Sequence, residues 1–385
     1  MFRFLTAGES HGQGLATIVE GVPAGLRLDE EFVAHELKRR QGGYGRSPRQ
    51  SMEHDRAEIV SGVRLGLTMG SPIALVILNR DWENWKTAMS ASPVEGDTKR
   101  ITRPRPGHAD LAGVTKYGLD DVRPILERAS ARETAARVAA GAVARRFLEE
   151  FGVEIHSHTL AIGGEWAKVA ARVDWQQVEG SLVRCADTVA EKDMMAAIEE
   201  AVGSGDTVGG VSEVLAFGVP VGLGSHIQWD RRLDGRIAQA MMSIQSVKGV
   251  EIGDAFKAAE ERGSQVHDGI VMGGGSRYPW RRKSNHAGGI EGGISNGEPI
   301  VLRLAVKPVP TLAKPLASVD LVSGASVQAH FERSDVCVVP AVGVIGEAML
   351  AIVLADAMLE KFGGDNMRET LRNFEGYQKW IGGSH

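Results

Sequence analysis

The chain has 385 residues, 43% of them hydrophobic and 24% charged, with a formal net charge of −5; this excludes wholesale disorder, a coiled coil and any general pull toward nucleic acid or an anionic membrane. Cys185 and Cys337 are too few for a disulfide framework or a thiolate zinc site, no uncharged run of ~18 apolar residues predicts a membrane span, and Met1-Phe2-Arg3-Phe4 opens without a signal-peptide pattern, so a cytoplasmic protein is expected. The unusual number is glycine, 48 of 385 residues, well above the usual ~7%.

In chain order, an opening strand leads into Thr6-Ala7-Gly8-Glu9-Ser10-His11-Gly12-Gln13-Gly14. Its glycines let the backbone turn sharply and approach a ligand. They flank a hydroxyl and an imidazole, the side chain that exchanges a proton near neutral pH; the plain alternative is that His11 only caps a turn. After an amphipathic stretch comes the loop Arg39-Arg40-Gln41-Gly42-Gly43-Tyr44-Gly45-Arg46-Ser47-Pro48-Arg49. Four arginines within eleven residues suit bidentate binding of phosphate or carboxylate, although a charge run is usually a solvated face. Ile73 to Leu78 reads as a strand.

Arg103-Pro104-Arg105-Pro106-Gly107-His108-Ala109-Asp110 repeats the recipe of arginine, glycine and histidine, with Asp110 able to orient the ring. Arg128-Ala129-Ser130-Ala131-Arg132 places two arginines at the amino end of a helix, where free N–H groups and the dipole attract an anion. Ser130 and Glu133 form a capping-box pattern, which predicts a helix from Arg132 to Phe151 closed by Gly152. Its many alanines leave no bulky face and imply burial between layers. Val211 to Phe217 and Val301 to Val306 read as strands, and Val344 to Phe362 as a second helix of small and apolar residues. His156 and His158 share a strand face without a third ligand nearby, so no metal site is expected. No P-loop, closed G-x-G-x-x-G or G-x-S-x-G elbow occurs.

The chain is also self-similar. Gly21-Val22-Pro23-Ala24-Gly25-Leu26 returns as Gly218-Val219-Pro220-Val221-Gly222-Leu223. Gly62-Val63, Gly66, Gly70, Pro72-Ile73 and Leu75 match Gly289-Ile290, Gly293, Gly297, Pro299-Ile300 and Leu302 at a constant offset of 227. Glu127-Arg128 pairs with Glu332-Arg333. Convergent turn punctuation is the bland explanation; the ordered matches favour one domain over 1–385 built from two pseudo-equivalent halves, about 1–195 and 196–385. The expected class is α+β, with helices between antiparallel sheets.

Seven segments in order resemble the chorismate synthase family: Gly8-Glu9-Ser10-His11-Gly12, Arg103 to Asp110, Arg128 to Thr134, Val247-Lys248-Gly249-Val250-Glu251, Ala287 to Gly293, Lys307 to Thr311, and Arg333-Ser334-Asp335. The resemblance implies a helix layer between two antiparallel four-stranded sheets, in a homotetramer. It implies a 1,4-elimination of phosphate from 5-enolpyruvylshikimate 3-phosphate to give chorismate, with reduced FMN required but no net oxidation. By the same resemblance His11 stands beside the leaving phosphate as acid, His108 beside the flavin N1 end, and Asp335 near flavin N5, assisting loss of the C6 proton. FMN is expected on Arg128, Ala129, Ser130, Gln245, Ser246, Gly292, Lys307, Pro308, Val309, Pro310, Thr311 and Arg333. Arg40 and Arg46 correspond to phosphate or nicotinamide-nucleotide arginines, and Ser10, Arg132 and Arg333 to substrate contacts. Many relatives carry Asn-Ala or Pro-Ala where this chain has Gln245-Ser246, which leaves side-chain roles there in doubt.

Two other readings remain at this level: an FMN-dependent enoate reductase, and a flavin- or phosphate-binding module without catalysis. Paired histidines argue against the module, since holding an anion needs no proton donor. No nicotinamide fingerprint is present, so an external flavin reductant is expected, with no nucleic-acid, membrane or metal partner.

Overall fold

The structure is a computed structural model and describes residues 1–46, 55–95, 98, 100–170, 172–273 and 278–382. Arg49 of the basic loop lies outside the described residues. The architecture mixes α and β. In the first sheet, strands β1 (Arg3–Gly8), β2 (Gly14–Glu20), β3 (Glu58–Ser61) and β4 (Ile73–Leu78) run antiparallel in the order β1-β2-β4-β3. Leu15, Thr17 and Val19 on β2 and Ile73, Leu75 and Ile77 on β4 alternate with more exposed residues and face the core.

The second sheet comprises β5 (Glu154–Ile162), β6 (Glu165–Trp166), β7 (Gly210–Phe217), β8 (Val247–Ile252) and β9 (Ile300–Val306), in the order β8-β9-β7-β5-β6. It therefore has five strands rather than the expected four. Gly163 and Gly164 take positive φ of 63° and 96°, which only glycine tolerates freely, and turn the two-residue β6 back onto Ala161 and Ile162. Apart from that addition both sheets have one strand order in the sense of the chain: first, second, fourth, third.

The two repeated glycine-rich segments make the same bonds in each half. Val63–Arg64 pairs with Leu67–Thr68, and Ile290–Glu291 with Ile294–Ser295, as small hairpins. The Thr68 hydroxyl donates to the Pro23 carbonyl at 2.6 Å and accepts from the Leu26 N–H at 2.9 Å. Ser295 does the same with Pro220 and Leu223, at the same two distances.

Helices α1 (Glu30–Gln41), α4 (Thr134–Glu149) and α7 (Val339–Phe362) pack on one another; the structure also has α2 (Asp110–Tyr117), α3 (Arg123–Ala129), α5 (Thr188–Ser204) and α6 (Leu233–Met242). Helix α4 packs on β1, β2 and β4 with one side and on α7 with the other, while α7 packs on β5 and β7. The predicted capping box does not form. Ser130 Oγ accepts from the Arg132 N–H at 3.3 Å, a short 3-10 turn spans Ala131–Glu133, and the Glu133 carboxylate is instead taken by Thr6 Oγ1 and Arg137 Nε, each at 2.8 Å. The helix runs Thr134–Glu149 rather than Arg132 to Phe151, but Gly152 still turns left-handed, at φ 71°, and the Val153 N–H returns to the Leu148 carbonyl.

Helix α7 begins at Val339, five residues before the expected Val344, because Pro340 falls in the first turn, where its missing N–H costs nothing. It is long and apolar enough to cross a membrane by length and composition, but it lies inside the protein. At its middle the fully buried Glu347 is gripped by Arg39 at 2.7 Å, by Arg145 and Arg184, and by Ser157 Oγ. Burial alone would raise this carboxyl; Arg39 and Arg145 hold it below its ordinary value.

Gly141 of α4 meets Ala348 of α7 so closely that a Cβ added there would lie 2.4 Å from the Ala348 Cβ and 2.6 Å from its Cα. Neither neighbour can rotate away. Gly141→Ala is expected to cost ~1–3 kcal/mol through overpacking, read as a lower urea midpoint at unchanged slope; an unshifted midpoint would contradict this packing.

Candidate active site

Where the amino ends of α4 and α7 come together there is a cavity of about 690 Å³. Ala129, Ser130, Ala131, Arg132 and Thr134 supply one wall, and Val338, Ala341, Val342 and Ile345 another. Two helix starts thus direct the positive ends of their dipoles toward one space. Six cations, Arg40, Arg46, Arg105, Arg132, Lys307 and Arg333, line it against three carboxylates, Asp81, Glu332 and Asp335. A chain with an acidic total therefore concentrates positive potential here.

His11 reaches the cavity from the turn between β1 and β2. Its Nδ1 lies 2.9 and 3.1 Å from the two oxygens of Glu127, and its backbone N–H donates to Glu127 Oε2 at 2.8 Å. The ring stacks on Trp85 with centroids 3.9 Å apart. His108 is held in the second way that the motif suggested: its Nδ1 bonds Asp110, which also accepts from Arg105 Nε at 2.8 Å, while Arg105 Nη1 donates to Thr311 Oγ1 at 3.0 Å. Burial would raise the Asp110 carboxyl, yet the hydrogen bonds from His108 and Arg105 keep it well below the usual carboxylate range.

Arg40 is buried, donating to Thr134 Oγ1 at 2.9 Å and to the Ala131 carbonyl at 3.0 Å, with its Nη1 3.7 Å from Asp55. Burial, with Arg132 and Arg46 close by, pushes it down to about 10 against the pull of Asp55. Arg46 pairs with Asp335 at 3.2 Å. Arg132 is held by Asp55 and by Asn79 Oδ1, at 2.9 Å for the latter, and Ser130 Oγ donates to Ser10 Oγ at 3.2 Å. Ser246 takes φ 71°, uncommon for a residue with a Cβ, and its carbonyl accepts from the Lys307 N–H.

Sixteen of the nineteen residues expected at the site from the sequence line this cavity; Arg128, Gly292 and Pro308 do not. The Arg128 guanidinium is drawn away by the carbonyls of Thr6 and Gly8, both at 3.0 Å, into a neighbouring pocket of about 380 Å³ that shares Ser243 and Gln245 with the cavity. Gly292 forms the turn of the Ile290–Ser295 hairpin, at φ 58°. Pro308 falls between Lys307 and Val309, which do line the cavity. Contributors not expected as site residues include Arg105, Glu127, Asp81, Trp85 and Glu332. Arg105 lies inside a motif singled out above, but nothing local in the sequence marks Glu127 or Trp85 as partners of His11.

A cavity with this charge, with two carboxylate-anchored imidazoles and a carboxylate paired to arginine, defines an enzyme that acts on a polyanion and manages protons. The family model for chorismate synthase matches residues 2–359. The chorismate synthase of Desulforudis audaxviator is 59% identical, covering 99% of this chain and 98% of that one; the Moorella thermoacetica enzyme is 55% identical, covering 99% of both. A crystal structure of chorismate synthase superposes with a TM-score of 0.80 at 48% identity, over 99% of this chain and 98% of that one. The chain belongs to the chorismate synthase family, the phosphate-eliminating lyases of the shikimate pathway and of aromatic amino acid biosynthesis.

Because Asp110 has its carboxyl held below the ordinary 3.8, its stabilising effect is complete above the unfolded value and is lost as pH falls through the folded one. Urea unfolding of wild type and Asp110→Asn is therefore expected to show a stability gap that is largest near pH 6 and narrows by pH 3. A gap independent of pH would contradict the assignment.

Proposed function

We propose that the cavity at the paired helix starts binds 5-enolpyruvylshikimate 3-phosphate and reduced FMN together and eliminates phosphate to give chorismate. The observation that carries this reading is the meeting of His11, His108 and Asp335 in one cavity lined by six cations. The substrate has two carboxylates and a phosphate, and the arginines provide the forked donors that such groups take. Arg40, Arg132 and Ser10 cluster with Ser130 around the start of α4 and would hold substrate; Arg46 and Arg333 flank Asp335.

The flavin fits the residues present. A volume of about 690 Å³ is within the ~300–1,000 Å³ of small-ligand sites. Gln245 Oε1 and Arg46 Nε are buried without a hydrogen-bond partner among the described residues, as a polar ligand would require. Ala129, Ser130, Gln245, Ser246, Lys307, Val309, Pro310, Thr311 and Arg333 would hold it. When bound, reduced FMN supplies an electron that is returned by the end of the turnover.

In the elimination the carbon–oxygen bond to phosphate breaks and the phosphate leaves with the electron pair, while the ring loses hydrogen at C6. His11 gives its proton to the departing phosphate oxygen, and the cations stabilise the charge that develops there. His108, fixed by Asp110, manages protonation at the flavin N1 end. Asp335, paired with Arg46 at 3.2 Å, assists loss of the C6 proton.

The same reading takes the chain as one domain of two equivalent halves, with helices layered between the sheets; the shared strand order and the matching Thr68 and Ser295 bonds support it. It includes a homotetramer in the cytoplasm, supported by the apolar residues Leu5, Ile18 and Leu78 exposed on the first sheet. No nicotinamide fingerprint exists, so the flavin is reduced by an external donor.

Under anaerobic conditions with reduced FMN, phosphate release with formation of a conjugated diene and no net flavin oxidation is expected; stoichiometric flavin oxidation would overturn the reading. His11→Ala is expected to slow phosphate release by about 100- to 10,000-fold while changing FMN affinity little; equal losses in both would remove His11 as the acid. NADPH-driven turnover by the purified protein alone would overturn the external reductant.

A further inference from the structure

We propose that Glu127 is the positioning residue for His11, fixing the proton on Nδ1 and aiming the opposite edge of the ring into the cavity. The proposal deepens the reading of His11 as acid and rests on it. The Glu127 side chain is 0% exposed and the His11 side chain 11% exposed, so the contact is shielded from water. Both carboxylate oxygens face Nδ1, one of them also accepts the His11 backbone N–H, and the Glu127 carbonyl accepts the Ser10 N–H at 3.1 Å. One residue thus grips the loop by main chain and by side chain. A carboxylate accepts but does not donate, so the neutral ring must carry its hydrogen on Nδ1.

Glu127 is itself held. Arg123 Nη1 donates to Glu127 Oε1 at 3.0 Å and to Glu332 Oε1 at 2.8 Å. The same guanidinium lies over Trp85, 5.2 Å from the ring centre, and the indole also stacks on His11; Trp85 Nε1 donates to Asp81 at 2.9 Å. Arg123 therefore braces both the carboxylate that orients the imidazole and the indole that flattens it. Among the described residues, the charged groups around the ring include Glu127 and Arg123 from α3, Asp81 after β4, Glu332 with its partner His330, and Arg132 and Arg46 across the cavity. Of these, Glu127 is the carboxylate bonded to the ring nitrogen. Glu127 and Glu332, which pair in the repeat, meet on one arginine beside the site.

In protein labelled with 15N-histidine, the His11 ring, assigned by its disappearance in His11→Asn, is expected as the Nδ1-protonated tautomer when neutral; an Nε2-protonated neutral ring would overturn the proposal. In the anaerobic assay, Glu127→Gln is expected to lower kcat by about 10- to 100-fold with KM and FMN affinity nearly unchanged. Its alkaline kcat limb should move to lower pH, since an amide stabilises an imidazolium less than a carboxylate does. Glu127→Asp should restore the limb but only part of the rate. A Glu127→Gln enzyme with the wild-type limb and rate would overturn the proposal even if it folds normally. His11→Ala, run alongside, separates the two claims: turnover that survives loss of His11 would sink the acid role, and the tautomer measurement would still decide the role of Glu127.

Discussion

The close crossing of two helices at Gly141 and Ala348 is the constraint on which the rest depends. Because neither position carries a large side chain, α4 and α7 approach until their small residues touch, and their amino ends open onto the same cavity. Helix starts carry the positive ends of their dipoles, so bringing two of them together makes this space favourable to negative charge. The apolar length of α7 is then explained as well: nearly all its residues are covered, by α4 on one side and by the second sheet on the other.

Charge inside this core is tolerated where it is matched. Glu347 would be costly alone on an apolar helix, but Arg39, Arg145 and Arg184 converge on it from three other segments. Its immediate neighbour in the arginine loop, Arg40, turns the opposite way and faces the cavity. Adjacent arginines at the end of one helix thus serve two purposes, one tying α1 to α7 and the other presented to ligand. At the site the matching is incomplete: Arg40 Nη1 and Arg46 Nε are buried without hydrogen-bond partners among the described residues, which supports the proposal that an anionic ligand is held there.

The two histidines are set by one device used twice. Each ring has Nδ1 against a buried carboxylate, Glu127 for His11 and Asp110 for His108, and each carboxylate is also held by an arginine, Arg123 or Arg105. The orientation of an imidazole decides which nitrogen faces the cavity, and these partners fix that orientation in both rings. They come from quite different distances along the chain. Asp110 is two residues from His108, whereas Glu127 is 116 residues from His11.

That contrast separates what the sequence by itself determined from what tertiary structure decided. Local chemistry was readable: the strands at Ile73–Leu78 and Ile300–Val306, the Gly152 helix end, the Asp110 partner of His108, the internal matches and the seven family segments all lie within short windows, where turn, cap and alternation rules operate. The family segments also carried most of the cavity lining, because residues that touch the same ligand sit in contiguous motifs. What could not be read is long-range. Arg128 turned away because carbonyls of β1 reached it first, Glu133 left its cap for Thr6, and Glu127 met His11 only through the docking of α3 on the opening loop. Such pairings depend on which surfaces the packing of whole helices and sheets brings within about 3 Å, and a chain read in order holds no local signal of that meeting.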